Sequence, residues 1–160
     1  MQTTELSPAL SRAALEACLG QEVARSPWVE IRQDRIDHFA EITEDHQFIH
    51  TDPARAAAGP FGTPIAHGFL TLSLLSGLLE KSGFQLDGAA ICVNYGFDRL
   101  RFLSPVPVGS RVRAHFTLAR LTPQPGALDT CLDVTLRIEG QEKPALAAQW
   151  ILRHYLGESA

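Results

Sequence analysis

Cysteine is scarce in this chain and badly placed for cross-linking. The 160 residues hold 3, Cys18, Cys92 and Cys131, an odd number at wide spacing with no CxxC pair. That excludes a disulfide frame and a cysteine-based zinc site, and the thiols read as small buried hydrophobes. Positive charge is also short. The 14 Lys and Arg against 18 Asp and Glu leave a net charge of −4, with no basic block. Neither nucleic acid nor an anionic membrane surface is an expected partner. The main apolar stretch, His67–Lys81, would make a helix about 20 Å long, too short to cross a bilayer. The N-terminus, Met1-Gln2-Thr3-Thr4-Glu5, lacks the basic and apolar regions of a secretion leader, so the cytoplasm is the expected compartment. No GxSxG, P-loop or GxGxxG occurs, which leaves serine hydrolase and nucleotide-phosphate readings without support. Repeats and low-complexity segments are absent.

What is present suits one globular domain over 1–160, with an N-terminal helical extension over about 1–27. Hydrophobic residues make up 45% and charged residues 20%, enough for a core without staples. The His67–Lys81 stretch carries Leu or Phe at 69, 70, 72, 74, 75, 78 and 79, nearly all round the axis, and predicts a buried helix. Gly83 is its stop signal, and Gly68 stands at its start, where backbone N–H groups lack helical partners. Upstream, Ser7 as N-cap and Pro8 as first residue predict a helix over Ala9–Leu19, alanine-rich and packed on the outside. Trp28–Ile31 reads as a short strand and Gln33–Ile42 as an amphipathic helix on Ile36, Phe39 and Ala40. Residues 43–53 keep no period, 54–58 allow a helical turn or two, and 59–64 form a Gly/Pro loop. Beyond Gly83 the period changes to 2, in Ala90–Tyr95, Arg99–Phe102, Arg111–Leu118, Cys131–Glu139 and Ala145–Leu156. Consecutive strands with one wet face predict an antiparallel sheet. One buried helix and one curved antiparallel sheet wrapped around it make an α+β domain of the hot-dog type. Leftover edge strands favour pairing of two subunits, so a homodimer is expected.

The aperiodic stretch carries the chemistry. Asp45 and His50 lie five residues apart in it. A carboxylate and an imidazole can jointly hold a water molecule, one removing a proton and the other supplying one. The Gly68 N–H at the helix start can receive a thioester carbonyl oxygen as it becomes an enolate, and glycine leaves room for the approach. His46 and His50 form an HxxxH spacing, but Gln47 stands where a metalloprotease needs glutamate, so no metal is expected. His67 reads as a structural histidine with a backbone partner. Asn94 and Tyr95 read as strand residues that can also touch ligand. Arg99 and Arg101 read as the wet face of a strand or as contacts for an anionic carrier.

Glu44-Asp45-His46-Gln47-Phe48-Ile49-His50-Thr51-Asp52-Pro53, then Pro64-Ile65-Ala66-His67-Gly68-Phe69-Leu70, resembles the hydratase-2 motif of MaoC-like dehydratases and R-specific enoyl-CoA hydratases. The likeness extends through Ser73, Ser76 and Gly77 and resumes at Asn94–Phe102 and Pro105–Val112. The resemblance implies that Asp45 and His50 are the catalytic pair and Gly68 the oxyanion donor. It matches Ser76 to a serine that supports the aspartate in some members, though the residue also reads as a small polar group on a buried helix. It further implies reversible syn addition of water to a trans-2-enoyl-CoA, giving the R-3-hydroxyacyl-CoA, with no cofactor beyond the CoA carried by the acyl thioester substrate. Ser76, Phe48, His67 and Asn94 are the candidate substrate contacts. Gln47-Phe48 replaces the family's usual Asn-Pro, and Glu44-Asp45 its Gly-Asp, as in the nodulation-protein-N-like branch. Phe48 either fills the proline's space or narrows the acyl tunnel. A thioesterase and an inactive acyl-CoA-binding subunit are the competing readings on the same fold.

Overall fold

The computed structural model describes residues 9–157. The helices are α1 (Arg12–Ala17), α2 (Gln33–Thr43), α3 (Phe48–Thr51), α4 (Pro53–Ala57) and α5 (Gly68–Lys81). The strands are β1 (Glu22–Arg25), β2 (Val29–Glu30), β3 (Ala89–Phe102), β4 (Arg111–Gln124), β5 (Ala127–Ile138) and β6 (Leu146–Leu156). The sheet runs β1-β4-β5-β6-β3, with β2 also on β4, and every pairing is antiparallel. Period 2 sends Val112, Ala114, Phe116 and Leu118 of β4 inward, opposite Ile138, Leu136, Val134 and Leu132 of β5. These pack with Leu70, Leu75, Leu78 and Leu79 of α5 in one continuous core. The sheet closed over that helix is the hot-dog arrangement. Pro125-Gly126 joins β4 to β5 in two residues: proline presets φ at the first, and Gly126 takes the positive φ of 67° at the second.

The helix core differs from expectation in one respect. Despite apolar residues all round, α5 leaves a stripe at Phe69, Ser73, Ser76 and Gly77 exposed, with Phe69 at 66%. The sheet wraps the helix on its remaining sides, and the spacing i, i+4, i+7, i+8 marks the uncovered one. Beside this stripe runs β3, a 14-residue edge strand bearing the exposed Ile91, Tyr95, Phe97 and Phe102.

Other differences have local causes. β3 is one strand, not two segments, because bulges near 89–91, 94–96 and 97–99 reset its alternation. The visible period of β4 stops at Leu118 because a bulge follows it, while the strand continues to Gln124. The expected cap Ser7 lies outside the described residues. Helix α1 starts after Ser11, whose Oγ accepts the Ala14 N–H at 3.2 Å, and ends at Ala17. It is not merely peripheral, since Leu15 is fully buried. Cys131 is buried as expected, Cys18 is half-buried, and Cys92 is exposed on β3. Among the described residues no helix is long and apolar enough to cross a membrane.

Candidate active site

The site is assembled where α2, α3 and α5 meet. Helix α2 closes on Glu44 in the left-handed conformation, φ 59°, the one positive-φ residue other than glycine among those described. A side chain there costs about 1–2 kcal/mol. This is the position where the resembling motif has glycine, so Glu44 accepts strain that glycine avoids. The reversal delivers Asp45. The next residues are not aperiodic coil: Phe48–Thr51 makes the single turn of α3, and Asp52 caps α4 by accepting the Arg55 N–H at 3.0 Å.

His50 sits in α3, buried, its main chain tied from two sides. The Gln33 side-chain amide of α2 donates to the His50 carbonyl (2.8 Å), and Ile65 N–H donates to the neighbouring Ile49 carbonyl (2.9 Å). Its ring is fixed as well. Nδ1 lies 2.7 Å from the Ile65 carbonyl, which can only accept, so Nδ1 carries the proton. The lone pair of the neutral ring is therefore on Nε2. Burial holds the His50 pKa below the ordinary imidazole value; the Ile65 bond opposes this, His67 adds to it and Asp45 opposes it. Neutral imidazole, the basic form, is thereby favoured.

His67, the N-cap residue of α5, touches every part of the site. It is 2% exposed, and its ring stacks on His50 at 3.8 Å between centroids and 26° between planes. Its Nε2–H donates to the Asp45 carbonyl at 2.9 Å, so Nδ1 is its acceptor nitrogen, buried and without a partner among the described residues. Side-chain donor atoms of Asp45, His50 and His67, one from each, lie within 4.8 Å of one another. The next residue is Gly68, first in α5, whose N–H has no intrahelical acceptor. A Cβ at Gly68 would come within 3.1 Å of the Phe102 ring, so the aromatic edge of β3 seals the place where glycine is required. His50, Gly68 and Phe102 border a cavity of about 350 Å³ that Asp45 does not line.

The three polar groups are close enough together to hold a metal ion or a water molecule. The HxxxH partner His46 is exposed and turned toward Glu41 at 3.8 Å; it is His67 that joins His50.

The remaining candidates lie elsewhere. Phe48 is covered by the Arg55 guanidinium at 4.4 Å and packs beside Gly59, and it borders neither cavity. Of its two readings, space filling is the one the packing favours. The Ser76 hydroxyl pairs with the Asn94 side chain at 3.3–3.4 Å, not with Asp45. Both line a second, larger cavity of about 620 Å³ at the other end of α5. Arg99 and Arg101 are exposed, and Arg101 donates to the adjacent Leu100 carbonyl. Sequence reasoning missed the Ile65 carbonyl and the Phe102 ring. A carbonyl has no residue signature, and Phe102 read only as strand periodicity. It also missed His154, although a histidine in phase with Leu146, Ala148, Trp150 and Leu152 on the core face was a usable signal.

Residues 14–124 match the family described as MaoC like domain, more than half of the chain. The chain belongs to the MaoC-like dehydratase family. This MaoC-like enzyme is 46% identical to 3-hydroxyacyl-thioester dehydratase Z of Mycobacterium tuberculosis over 145 residues, covering 90% of this chain and 95% of that protein. It is 47% identical to nodulation protein N of Rhizobium leguminosarum bv. viciae over 144 residues, 89% of each. Among solved structures, the (R)-hydratase of A. caviae involved in PHA biosynthesis superposes with a TM-score of 0.68 at 28% identity, over 84% of this chain and 94% of that one. Like these relatives named dehydratase and hydratase, the MaoC-like chain is an enzyme of hydratase/dehydratase type.

Proposed function

We propose that this enzyme reversibly adds water to a trans-2-enoyl thioester of CoA, giving the R-3-hydroxyacyl thioester. The observation that carries the reading is the convergence of Asp45, His50 and His67 one residue ahead of a free helix-start N–H at Gly68. In the hydration direction, water is held between the Asp45 carboxylate and His50 Nε2. As its oxygen bonds to Cβ, one proton passes to the imidazole. Electrons shift through the alkene onto the carbonyl oxygen, where the Gly68 N–H stabilises the enolate. The Asp45–His50 pair then returns a proton to Cα on the same face, and the enzyme is regenerated. Dehydration is the reverse. All atoms come from water and the thioester, so the reading requires no metal or redox cofactor.

His67 is a positioning residue in this scheme. Through one side chain it ties the Asp45 main chain to the residue that carries the oxyanion donor, and its face supports the His50 ring. A second copy of the chain is the proposed partner, pairing along the free edge of β3 and covering its exposed apolar residues with Phe69. Light scattering giving twice the monomer mass supports this; monomer mass at micromolar concentration rejects it. The activity is tested with crotonyl-CoA and longer enoyl-CoAs on wild type, Asp45→Asn and His50→Ala, while free CoA is followed with a thiol reagent. Hydration lost in both variants, with no CoA released, supports the assignment. Equal turnover in all three rejects it, and CoA release in step with substrate loss replaces it by a thioesterase.

A further inference from the structure

Each histidine at the start of α5 has one ring nitrogen committed to the main chain and the other free. His50 Nδ1–H donates to the Ile65 carbonyl at 2.7 Å, and His67 Nε2–H donates to the Asp45 carbonyl at 2.9 Å. The remaining nitrogens, His50 Nε2 and His67 Nδ1, carry lone pairs. Neither accepts a hydrogen bond among the described residues, although His50 is only 6% exposed and His67 2%. The half-buried Asp45 carboxylate likewise makes no hydrogen bond or ion pair among those residues. Unpaired acceptors of this kind are a standing cost that a cation removes.

One side-chain donor atom from each of the three residues lies within 4.8 Å of the other two. Ligand atoms held at about 2.0–2.1 Å by a tetrahedral zinc ion stand roughly 3.4 Å from one another, so closing the set takes side-chain shifts of about 1 Å. Two imidazoles and a carboxylate, with a fourth position open, are a zinc donor set. A ring N–H held by a main-chain carbonyl is the support that metal-binding histidines have, and both rings have it. The HxxxH spacing pointed to His46, which is exposed; the fold puts His67 in its place. We infer that Asp45, His50 and His67 form a zinc site and that zinc bound there inhibits the enzyme. The ion takes the His50 Nε2 lone pair and the carboxylate that hold water in the hydratase reading. The inhibition rests on that reading; the binding does not. Magnesium, which prefers six oxygen ligands, does not replace zinc at such a set.

The test titrates zinc sulfate into EDTA-treated, dialysed enzyme by calorimetry and follows crotonyl-CoA hydration in parallel. One zinc should bind per chain, and magnesium should not bind. Hydration should fall by roughly 10²-fold or more at saturation, the size of a lost general base, and return with EDTA. Asp45→Ala, His50→Ala and His67→Phe should each weaken zinc by about 100-fold or more, beyond what loss of a supporting partner does. Asp45→Ala removes no side-chain bond of the fold and serves if a histidine variant does not fold. Cys92→Ser and His46→Ala, which remove an exposed thiol and an exposed imidazole, should bind zinc as wild type does. No binding to wild type, undiminished binding in Asp45→Ala, or binding lost in Cys92→Ser or His46→Ala overturns the site. Zinc bound with hydration unchanged overturns the inhibition. If no form of the protein hydrates crotonyl-CoA, the hydratase reading fails, and the calorimetry still decides the site.

Discussion

The two ends of α5 differ in how tightly their polar groups are held. At the start, the His50 ring is set by the Ile65 carbonyl, the Asp45 main chain by His67, and Gly68 by its place in the helix. At the other end the space is larger, and its wall mixes Leu79, Leu86 and Leu152 with Ser76, Asn94 and His154. The bracing suits the chemistry proposed for the helix start. Proton transfer and oxyanion stabilisation tolerate displacements well below 1 Å, so the atoms there are cross-braced.

The largest expected effect at the braced end comes from removing the proposed base. His50→Ala should lower kcat by roughly 10²–10⁴, read in steady-state hydration of crotonyl-CoA with binding little altered. Gly68→Ala should cost about 10²-fold, since its Cβ meets Phe102 at 3.1 Å and must shift the oxyanion donor. Gly68→Ala with Phe102→Ala should recover part of that loss; no recovery would show that the clash is not the cause. His67→Phe keeps a ring against His50 but drops the bond to Asp45. It should reduce kcat about ten-fold with KM unchanged, while a purely structural role would lower Tm and leave kcat per folded enzyme intact.

Acid sharpens the comparison, because each end has a buried histidine. His50 and His154 both have folded pKa values pushed down by burial. Below the ordinary value of about 6.5 the unfolded chain binds protons that the native one refuses, so stability is full above that pH and declines as pH falls toward the native values. Chemical denaturation at pH 7.5 and 5.5 should show the decline. Replacing either histidine with an apolar residue should flatten it, and an unchanged slope would contradict the burial argument. The smallest effect concerns Glu44. Glu44→Gly should release strain and stabilise by about 1 kcal/mol, visible as a small rise in Tm.

The fold was legible wherever periodicity ran unbroken. The limits of α5, α2 and β6 follow from apolar spacing, whereas β3 and β4 were cut short by bulges, which shift phase without any compositional mark. Helices α3 and α4 escaped because one turn of helix is too short to establish a period. Asp45, His50 and Gly68 were legible as residue types in a recognisable motif. How they are held was not, since the partners of His50 and His67 are main-chain carbonyls whose positions depend on the finished fold. The cavity was hidden for a similar reason: its walls come from α5, β3 and β6, far apart in the chain.

A structure with a bound non-reactive enoyl thioester would probe the braced end directly. The account predicts the carbonyl oxygen within about 3 Å of the Gly68 nitrogen and a water touching both the Asp45 carboxylate and His50 Nε2 beside Cβ. A carbonyl bound away from Gly68, with Cβ out of reach of that pair, would contradict it.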